Sequence, residues 1–573
     1  MPDDQSGSAS RSLPHACAPR CANWAANAIV YHLVTDRFCR LEPGRPMAHG
    51  RAADAGAAGG FFGGGFAGVR HKIEQGWFTA LGVNALWISA PYEQIHGWVP
   101  GGGGRGRHYA FHGYWPLDFT AVEPAFGTAE ELGAMIDAAH AAGIRVLFDI
   151  AMSHPGYPDL RTLANLLPGA VKDGWEDASR EAYQDYYNHA GPALGQWWGR
   201  DWIRSSLPGH DHPGDDALTG QLHGLPRFRT ADDAFVQPPA FLLGRPGSQV
   251  VPLADTPVRG YLIAWLAEWV RRYGVDGFRC DSARHVELST WRALKHAAGA
   301  ALVEWKQANP AKVLDDAPFW MTGEVFDHGI ERCDYFDYGF DSLINFRFQP
   351  QLQTVLGALA QGHHYAGALA LHRLERLYAE YSAVLGPGAG HAVLSYVSSH
   401  DLGRFPPPLA YLAATALMLL PGGVQILYGD ESGIAADRPH RAPDPGPDPD
   451  ACPPMNWDGL DQDLLAHWRR LGAFRARHPA IARGAHRLHG ETPYAFSRVD
   501  RASDDRVLVV LDAGDDCWIE VGDLFSDGTM LRDAYGGQTL TVCGGRVRVT
   551  GATLARPLLL EPTGPAAPGQ AAP

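Results

Sequence analysis

Eight short apolar runs, separated by amphipathic segments, constrain the fold of this chain more than any other feature. The runs are rich in Val, Ile and Phe, as buried strands are. They span residues 28–34, 83–89, 144–150, 277–283, 319–325, 341–346, 393–399 and 424–429. The segments 128–143 and 259–274 between them show helical periodicity and end in Gly. Eight strands alternating with helices predict an α/β fold, a (β/α)8 barrel with insertions. A doubly wound sheet is the competing interpretation, but no GxGxxG follows the first run.

The periodicity changes at two places along the chain. Between 155 and 255 the sequence becomes rich in Pro, Gly, Trp and Asp, which predicts an irregular subdomain inserted after the third strand, over the mouth of the barrel. After about residue 480 the helical period is replaced by strand-like alternation, which predicts a C-terminal antiparallel β-domain. The expected units are a disordered N-terminal segment (1–22), the barrel (23–154 and 256–478), the inserted subdomain (155–255), a C-terminal β-sandwich (479–562) and a disordered tail (563–573).

Charge and hydropathy exclude several classes of partner. The 48 Lys and Arg residues against 63 Asp and Glu residues give a net charge of −15, which disfavours binding to phosphate backbones. The sequence contains no stretch of 18 apolar residues, so it predicts no membrane span. The N-terminus has no apolar segment of the kind that a secretory leader needs. We expect a monomer without nucleic-acid or membrane partners. It would be cytoplasmic as written, and periplasmic or secreted if a leader has been removed.

Polar side chains follow four of the apolar runs. They are Asp149 and His154, then Arg279, Asp281 and His285, then Glu324, and finally His400 and Asp401. Catalytic residues of a (β/α)8 barrel lie at the carboxyl ends of its strands, so Asp281, Glu324 and Asp401 are expected to converge there. Strand alternation places Arg279 on the same face as Asp281. The cysteines and histidines show no zinc spacing or HxH cluster at the strand ends, which disfavours a metal-dependent hydrolase.

A pair of facing carboxyl groups is the requirement of glycoside hydrolysis. One of them must stay ionised, and the charge of Arg279 favours the ionised form of Asp281. The other must hold a proton at working pH. Glu324 precedes Val325 and Phe326 and is expected to have a raised pKa. The strand ends therefore predict a glycosidase site.

Four segments, DIAMSH, GFRCDSARH, GEVF and YVSSHD, resemble the signature regions of the α-amylase family of glycoside hydrolases in order and spacing. The resemblance extends from about Ala28 to the C-terminal β-domain. LGVNALWISAPYEQIHGWV and HYAFHGYW are most similar to the periplasmic α-amylases of enterobacteria, whose extra N-terminal domain we do not find in this chain. The resemblance implies that Asp281 is the nucleophile, Glu324 the general acid/base and Asp401 a stabiliser that binds sugar hydroxyls. The substrate-binding residues it implies are His112, Tyr114, His154, Arg279, Arg284, His285 and His400.

The activity implied by this resemblance is retaining hydrolysis of α-1,4 bonds in starch and maltooligosaccharides, by double displacement through a glucosyl–Asp281 intermediate. A transglycosylase would use the same residues, and the sequence does not decide between the two acceptors. A non-catalytic glucan-binding protein would lack one of the three acids, and all three are present. The tryptophans of GQWWGRDW are more typical of a subdomain core than of sugar-stacking platforms.

Three departures from the family pattern concern calcium. Ser153 stands where the family has Asn before its His, and Arg227 stands where a Leu-Pro-Asp motif has its acid. FCRLEPGRP replaces the acidic loop that often follows the first strand. These positions usually serve calcium in calcium-binding members of the family. Calcium needs six to eight oxygen ligands, so we expect no metal at the usual site and no cofactor.

Overall fold

The structure is a computed structural model that describes residues 24–41, 48–51, 59–101, 106–360, 366–434 and 452–563. The ends at 1–22 and 563–573, expected to be disordered, lie outside these ranges except for Thr563. The strands in chain order are β1 (Ile29–Leu33), β2 (Ala85–Ile88), β3 (Tyr92–Gln94), β4 (Trp98–Pro100), β5 (Arg107–Tyr109), β6 (Pro116–Val122), β7 (Arg145–Ala151), β8 (Ile203–Arg204), β9 (Arg227–Phe228), β10 (Gly277–Asp281), β11 (Trp320–Gly323), β12 (Ser342–Asn345), β13 (Ala392–Tyr396), β14 (Gly423–Leu427), β15 (Ala485–Glu491), β16 (Tyr494–Asp500), β17 (Asp505–Asp512), β18 (Cys517–Glu520), β19 (Met530–Asp533), β20 (Thr539–Thr541), β21 (Arg546–Val549) and β22 (Leu558–Pro562).

The α-helices lie mainly between the barrel strands. They are α1 (Thr35–Phe38), α2 (Phe66–Glu74), α3 (Trp77–Ala80), α4 (Ala129–Ala141), α5 (Leu160–Leu166), α6 (Val258–Tyr273), α7 (Leu288–Ala308), α8 (Phe348–Ala360), α9 (Ala366–Leu385), α10 (Ala410–Met418), α11 (Gln462–Arg477) and α12 (Pro479–Arg483). Thr128 and Glu131 form a capping box at the start of α4. α6 ends at Gly274, whose φ of 69° suits a glycine, and a Cβ there would lie 2.3 Å from the Trp305 ring.

Eight parallel strands close into a barrel in the order β1-β14-β13-β12-β11-β10-β7-β2. Each overlaps one of the eight apolar runs, so the barrel prediction is confirmed. β14 closes the ring on β1, with Ile29 opposite Val424. Alternate strand residues separate into two layers. Val30, Trp87 and Leu147 belong to a cluster that fills one face of the strands, whereas Tyr31 and Phe278 belong to the large core shared with the helices.

Two segments of the chain leave the barrel, one after β2 and one after β7. After β2 the chain forms the antiparallel pairs β3–β6 and β4–β5 before α4 begins. The segment 155–255 contains α5, the short pair β8–β9 and several single turns of 3-10 helix, so it is as irregular as predicted. Trp197, Trp198 and Trp202 are buried within it, and the core interpretation of these tryptophans is confirmed.

The C-terminal region consists of antiparallel sheets, as predicted. A six-stranded sheet has the order β15-β16-β17-β22-β19-β20, and β18 pairs with β21. Leu508, Ile519 and Val547 belong to their shared core. Glu561 ties β22 to the barrel helices by accepting hydrogen bonds from Arg477 (3.0 Å) and His478 (2.6 Å). Among the described helices, we find none with the length and apolar character needed to cross a membrane.

Candidate active site

One arginine at the end of β10 organises the carboxyl groups. The Arg279 side chain is 1% exposed, and its Nη1 donates to Oδ1 of Asp149 and to Oδ1 of Asp281, both at 2.8 Å. Its Nη2 lies 3.1 Å from Oε1 of Glu324. A buried guanidinium needs such partners, because its charge is costly away from water. The structure thus brings two of the predicted catalytic acids, Asp281 and Glu324, onto the same guanidinium.

Asp149 is the buried carboxylate beneath this arrangement. It accepts hydrogen bonds from the Tyr114 hydroxyl and, at 2.9 Å, from the Trp87 indole. Burial raises the pKa of Asp149 above its usual range, and the adjacent Arg279 opposes that rise. Sequence reasoning noted Asp149 as a strand-end residue without giving it a role. Its contacts show that it positions Arg279 and Tyr114.

Glu324 receives its orientation from the turn that follows Asp281. Ser282 adopts a left-handed conformation (φ 47°, ψ 45°), and its amide donates to Oε2 of Glu324 at 2.6 Å. Left-handed backbone is strained for a non-glycine residue and is often found at functional sites. Burial raises the pKa of Glu324, Asp281 adds to the rise, and Arg279 opposes it. The raised pKa expected from the sequence is confirmed.

Asp401 follows β13 in a tight loop. The Asp401 and Leu402 amides donate to the Ser399 hydroxyl at 3.3 and 2.8 Å. The Asp401 side chain is 35% exposed, and its Oδ2 lies 3.3 Å from Nε2 of His400. Its position deep in the cleft raises the pKa of Asp401, and the negative charge of Glu324 adds to the effect. Asp401 therefore belongs to the same electrostatic group as Asp281 and Glu324.

Three predicted histidines are buried and neutral. Burial lowers the pKa of His112, His154 and His400, that of His154 to about 3. Nε2 of His154 donates to the Tyr114 carbonyl at 3.1 Å, while Ser153 donates to its Nδ1 at 2.6 Å. Nε2 of His400 donates to the Tyr114 hydroxyl at 2.8 Å. Neutral imidazoles place donors in the cleft without adding positive charge beside Arg279.

Two further residues at the base of the site were missed by sequence reasoning. The His32 ring stacks on Trp87 with centroids 3.8 Å apart, and it meets His400 edge to face at 4.7 Å. The Arg279 guanidinium lies 5.1 Å from the centre of the Trp87 ring. Strand alternation was the available signal, because it places His32 of β1 and Trp87 of β2 on the inner face of the barrel.

Arg284 and His285 lie outside the acid cluster. Arg284 is exposed, and within the described ranges it makes no hydrogen bond to the three acids. His285 is half-buried, and its Nδ1 donates to the Ala217 carbonyl of the inserted subdomain at 2.7 Å. These two predicted substrate-binding residues therefore lie at the edge of the cleft rather than at its base.

Arg227 occupies the junction between the inserted subdomain and the barrel. Its side chain is buried and donates to the carbonyls of Leu218 and Ala217, both at 3.0 Å, and to the carbonyl of His285. Burial lowers the pKa of Arg227 to about 10, so it remains charged at neutral pH. The Ser153 hydroxyl is bound to His154. A guanidinium on these carbonyl oxygens and a hydroxyl turned to a histidine do not fit a calcium site.

A closed barrel with paired carboxyl groups at its strand ends is the arrangement of a glycoside hydrolase. Residues 33–205 match the family model described as "Alpha amylase, catalytic domain". The chain is 40% identical over 509 residues to the periplasmic alpha-amylase of Escherichia coli strain K12, and the alignment covers 84% of this chain and 72% of that protein. The chain belongs to the α-amylase family, and the resemblance of its signature segments is confirmed.

More distant relatives share the same architecture. A cyclomaltodextrin glucanotransferase of Bacillus sp. strain 1-1 is 22% identical over 82% of this chain, which spans only 58% of that enzyme's length. The crystal structure of an alpha-amylase from Geobacillus thermoleovorans, complexed with acarbose, aligns with a TM-score of 0.63 at 19% identity. That alignment covers 94% of this chain and 99% of the crystallised one, and it supports the fold alone.

Proposed function

We propose that this protein is a retaining hydrolase of α-1,4 bonds in starch and maltooligosaccharides. The observation that carries the proposal is the pairing of Asp281 and Glu324 on one guanidinium, with the pKa of Glu324 raised. A proton donor and an ionised carboxylate side by side are the two groups that double displacement needs.

In the proposed first step, Glu324 protonates the glycosidic oxygen while a carboxylate oxygen of Asp281 attacks the anomeric carbon. The bond to the leaving sugar breaks, and a glucosyl ester forms on Asp281. Glu324, now ionised, then accepts a proton from water, whose oxygen attacks the same carbon and releases Asp281. Asp401 accepts hydrogen bonds from sugar hydroxyls, and the Tyr114 ring offers an apolar face to a glucose ring.

Transglycosylation is the second candidate, because the same ester can react with a sugar hydroxyl instead of water. Two observations keep it open. A cyclomaltodextrin glucanotransferase is among the relatives. Phe326, two residues after Glu324, is 60% exposed beside Phe346 and offers an acceptor sugar an apolar surface. A chromatographic time course with maltoheptaose distinguishes the candidates, since transfer yields products longer than seven glucose units and hydrolysis yields only shorter ones.

We expect the newly released reducing end to be the α-anomer. Two successive inversions at one carbon restore the starting configuration, and the two carboxyl groups of retaining enzymes lie about 5–5.5 Å apart. Proton NMR within the first minutes of hydrolysis, before mutarotation, measures the anomer directly. A β-anomer as the first product would exclude the glucosyl–Asp281 intermediate.

We also propose that the usual calcium site of the family is lost, and that calcium removal leaves the protein unchanged. Arg227 supplies a positive charge where a ligand would supply a negative one, and it already binds the carbonyls at this junction. After exhaustive EDTA treatment, a sample that receives calcium should have the same melting temperature and the same activity as a sample that receives sodium. A loss that calcium alone restores would contradict the proposal.

A further inference from the structure

His478 contacts two strands of the C-terminal domain through the two nitrogens of its ring. It lies between α11 and α12, and its side chain is 11% exposed. Nδ1 lies 2.8 Å from Oδ1 of Asp505 on β17, and Nε2 lies 2.6 Å from Oε2 of Glu561 on β22. β17 and β22 are neighbours in the six-stranded sheet. The imidazole therefore joins the end of the last barrel helix to two adjacent strands of the C-terminal domain.

These two contacts determine the protonation state of the ring. An ionised carboxylate only accepts hydrogen bonds, and a neutral imidazole has one N–H donor and one acceptor nitrogen. A neutral His478 would therefore turn a lone pair toward a carboxylate oxygen, whereas the imidazolium donates to both carboxylates. Burial lowers the pKa of His478, but the hydrogen bonds to Asp505 and Glu561 outweigh burial and raise it above its usual range.

Glu561 is held in its ionised form by several donors. Besides His478, it accepts hydrogen bonds from Arg477 of α11 at 3.0 Å and from Arg532 of β19 at 2.9 Å. Burial would raise the pKa of Glu561, but the hydrogen bonds from His478 and the two arginines lower it to about 2. Glu561 is therefore a carboxylate over the whole pH range in which a histidine titrates.

Asp505 depends on His478 for a positive partner. Its Oδ2 accepts a hydrogen bond from the Ala480 amide of α12 at 2.9 Å, so both of its oxygens face donors. Among the residues that the structure describes, His478 is the one cation that forms an ion pair with Asp505, since the neighbouring Arg506 pairs with a different acid. The Phe474 ring packs against the imidazole, with centroids 4.6 Å apart, and brings no charge.

A second histidine at the same junction has the opposite set of partners. Nε2 of His486 on β15 lies 2.9 Å from Oε1 of Glu375 on α9, and its Nδ1 accepts a hydrogen bond from Nε of Arg498 at 2.8 Å. One acceptor and one donor are the partners that a neutral imidazole needs. Burial lowers the pKa of His486. The junction thus pairs a charged histidine with a neutral one.

We propose that His478 is a pH-sensitive clamp between the barrel and the C-terminal β-domain. As the imidazolium it donates one hydrogen bond to β17 and one to β22. When it loses its proton at alkaline pH, one of these hydrogen bonds is lost and a lone pair faces a carboxylate, so the junction weakens. The clamp is separate from the acids of the candidate active site.

The pH window of this clamp follows from the two pKa shifts. Because the folded pKa of His478 is raised, its stabilisation is complete below about pH 6.5, the value for an unfolded chain. It is lost as the pH rises through the folded value. The lowered pKa of Glu561 acts in the other direction, so its stabilisation is complete above about pH 4.3 and is lost as the pH falls toward 2.

The first test compares the melting temperatures of the full chain and of His478→Gln between pH 6 and pH 10. Gln is neutral throughout this range, and groups that titrate in both proteins cancel from the difference. The wild type should melt at the higher temperature at pH 6. Its lead should fall to roughly half or less by pH 10, because one charge-assisted hydrogen bond is lost and the other is weakened. A lead that stays constant with pH would overturn the proposal.

His486→Gln is the matched control, since it replaces a neutral histidine of the same junction. Its difference in melting temperature from the wild type should not change between pH 6 and pH 10. A difference that shrinks with rising pH as much as that of His478→Gln would show that titration of His478 is not what weakens the junction, and would overturn the proposal.

Nitrogen-15 NMR of the histidine-labelled full chain measures the proton directly. At pH 7 both ring nitrogens of His478 should carry protons, whereas His486 should be a neutral imidazole. Asp505→Asn keeps the histidine but removes one negative partner, so the titration midpoint of His478 should move to lower pH. The signal that moves in Asp505→Asn, or that disappears in His478→Gln, belongs to His478. A neutral His478 at pH 7 would overturn the proposal whether or not the variants fold.

Discussion

Glu324→Gln is expected to lower kcat on maltooligosaccharides by roughly 10²–10⁴-fold while leaving the fold and glucan binding intact. Gln has the same shape and its carbonyl oxygen can still accept the hydrogen bond from the Ser282 amide. It has no ionisable proton for the leaving oxygen. Because the pKa of Glu324 is raised, the wild type should keep the acid form to higher pH than an ordinary glutamate would. The alkaline limb of its pH–rate profile should report this group and disappear in the variant.

Glu331→Gln is the matched control for this substitution. Glu331 lies on the loop after β11, is exposed, and pairs with Arg347 at 3.2 Å. Its removal should change kcat little. Turnover, circular dichroism and maltooligosaccharide affinity should be compared across the three proteins. A correctly folded Glu324→Gln enzyme with near-wild-type turnover would remove Glu324 from the mechanism.

Arg279→Gln is expected to impair both stability and turnover. The substitution leaves Asp149, Asp281 and Glu324 without the cation that they share. Removing one partner of a buried ion pair costs about 3–5 kcal/mol. The charge of Arg279 lowers the pKa of Asp149 and of Glu324, so both values should rise further in the variant and more of the acid form should be present at neutral pH. We expect turnover to fall by at least roughly 100-fold.

Denaturant unfolding and pH–rate profiles measure these effects separately. Arg332→Gln serves as the control, because Arg332 is an exposed arginine that pairs with Asp337 at the surface. Exposed pairs contribute about 0–1 kcal/mol, so its free energy of unfolding should stay near that of the wild type. An Arg279→Gln protein as stable and active as this control would show that the carboxyl groups do not depend on the shared cation.

The barrel was predictable because its strands are buried on both faces. Each therefore appears as a continuous apolar run rather than an alternating one, and the position of Arg279 and Asp281 on one face of β10 follows from strand alternation. The same parity applied to β1 and β2 points His32 and Trp87 toward the barrel axis. Aromatic residues in strands are ordinarily part of the core, so strand alternation alone does not mark these two as site residues.

What the sequence could not supply are contacts between segments far apart in the chain. In the sequence Asp149 is one acid among several. The pairing of β7 with β10 places it against Arg279, which lies 130 residues further along the chain. His49 stacks on His96, which belongs to a different loop, and no local spacing in the sequence relates the two rings. Irregular segments such as 155–255 have no periodicity from which to infer partners. Their arrangement depends on tertiary packing.

The guanidinium of Arg227 changes how the junction beneath the inserted subdomain responds to the surrounding solution. A bound ion stabilises a fold by mass action, so its contribution grows and shrinks with the concentration of that ion. Arg227 is part of the chain, and its hydrogen bonds to Ala217, Leu218 and His285 form once, when the protein folds. No chelator, dialysis or competing ion can remove it. The stabilisation that Arg227 gives to this junction is therefore set by the amino-acid sequence and does not depend on the concentration of an ion in the solution.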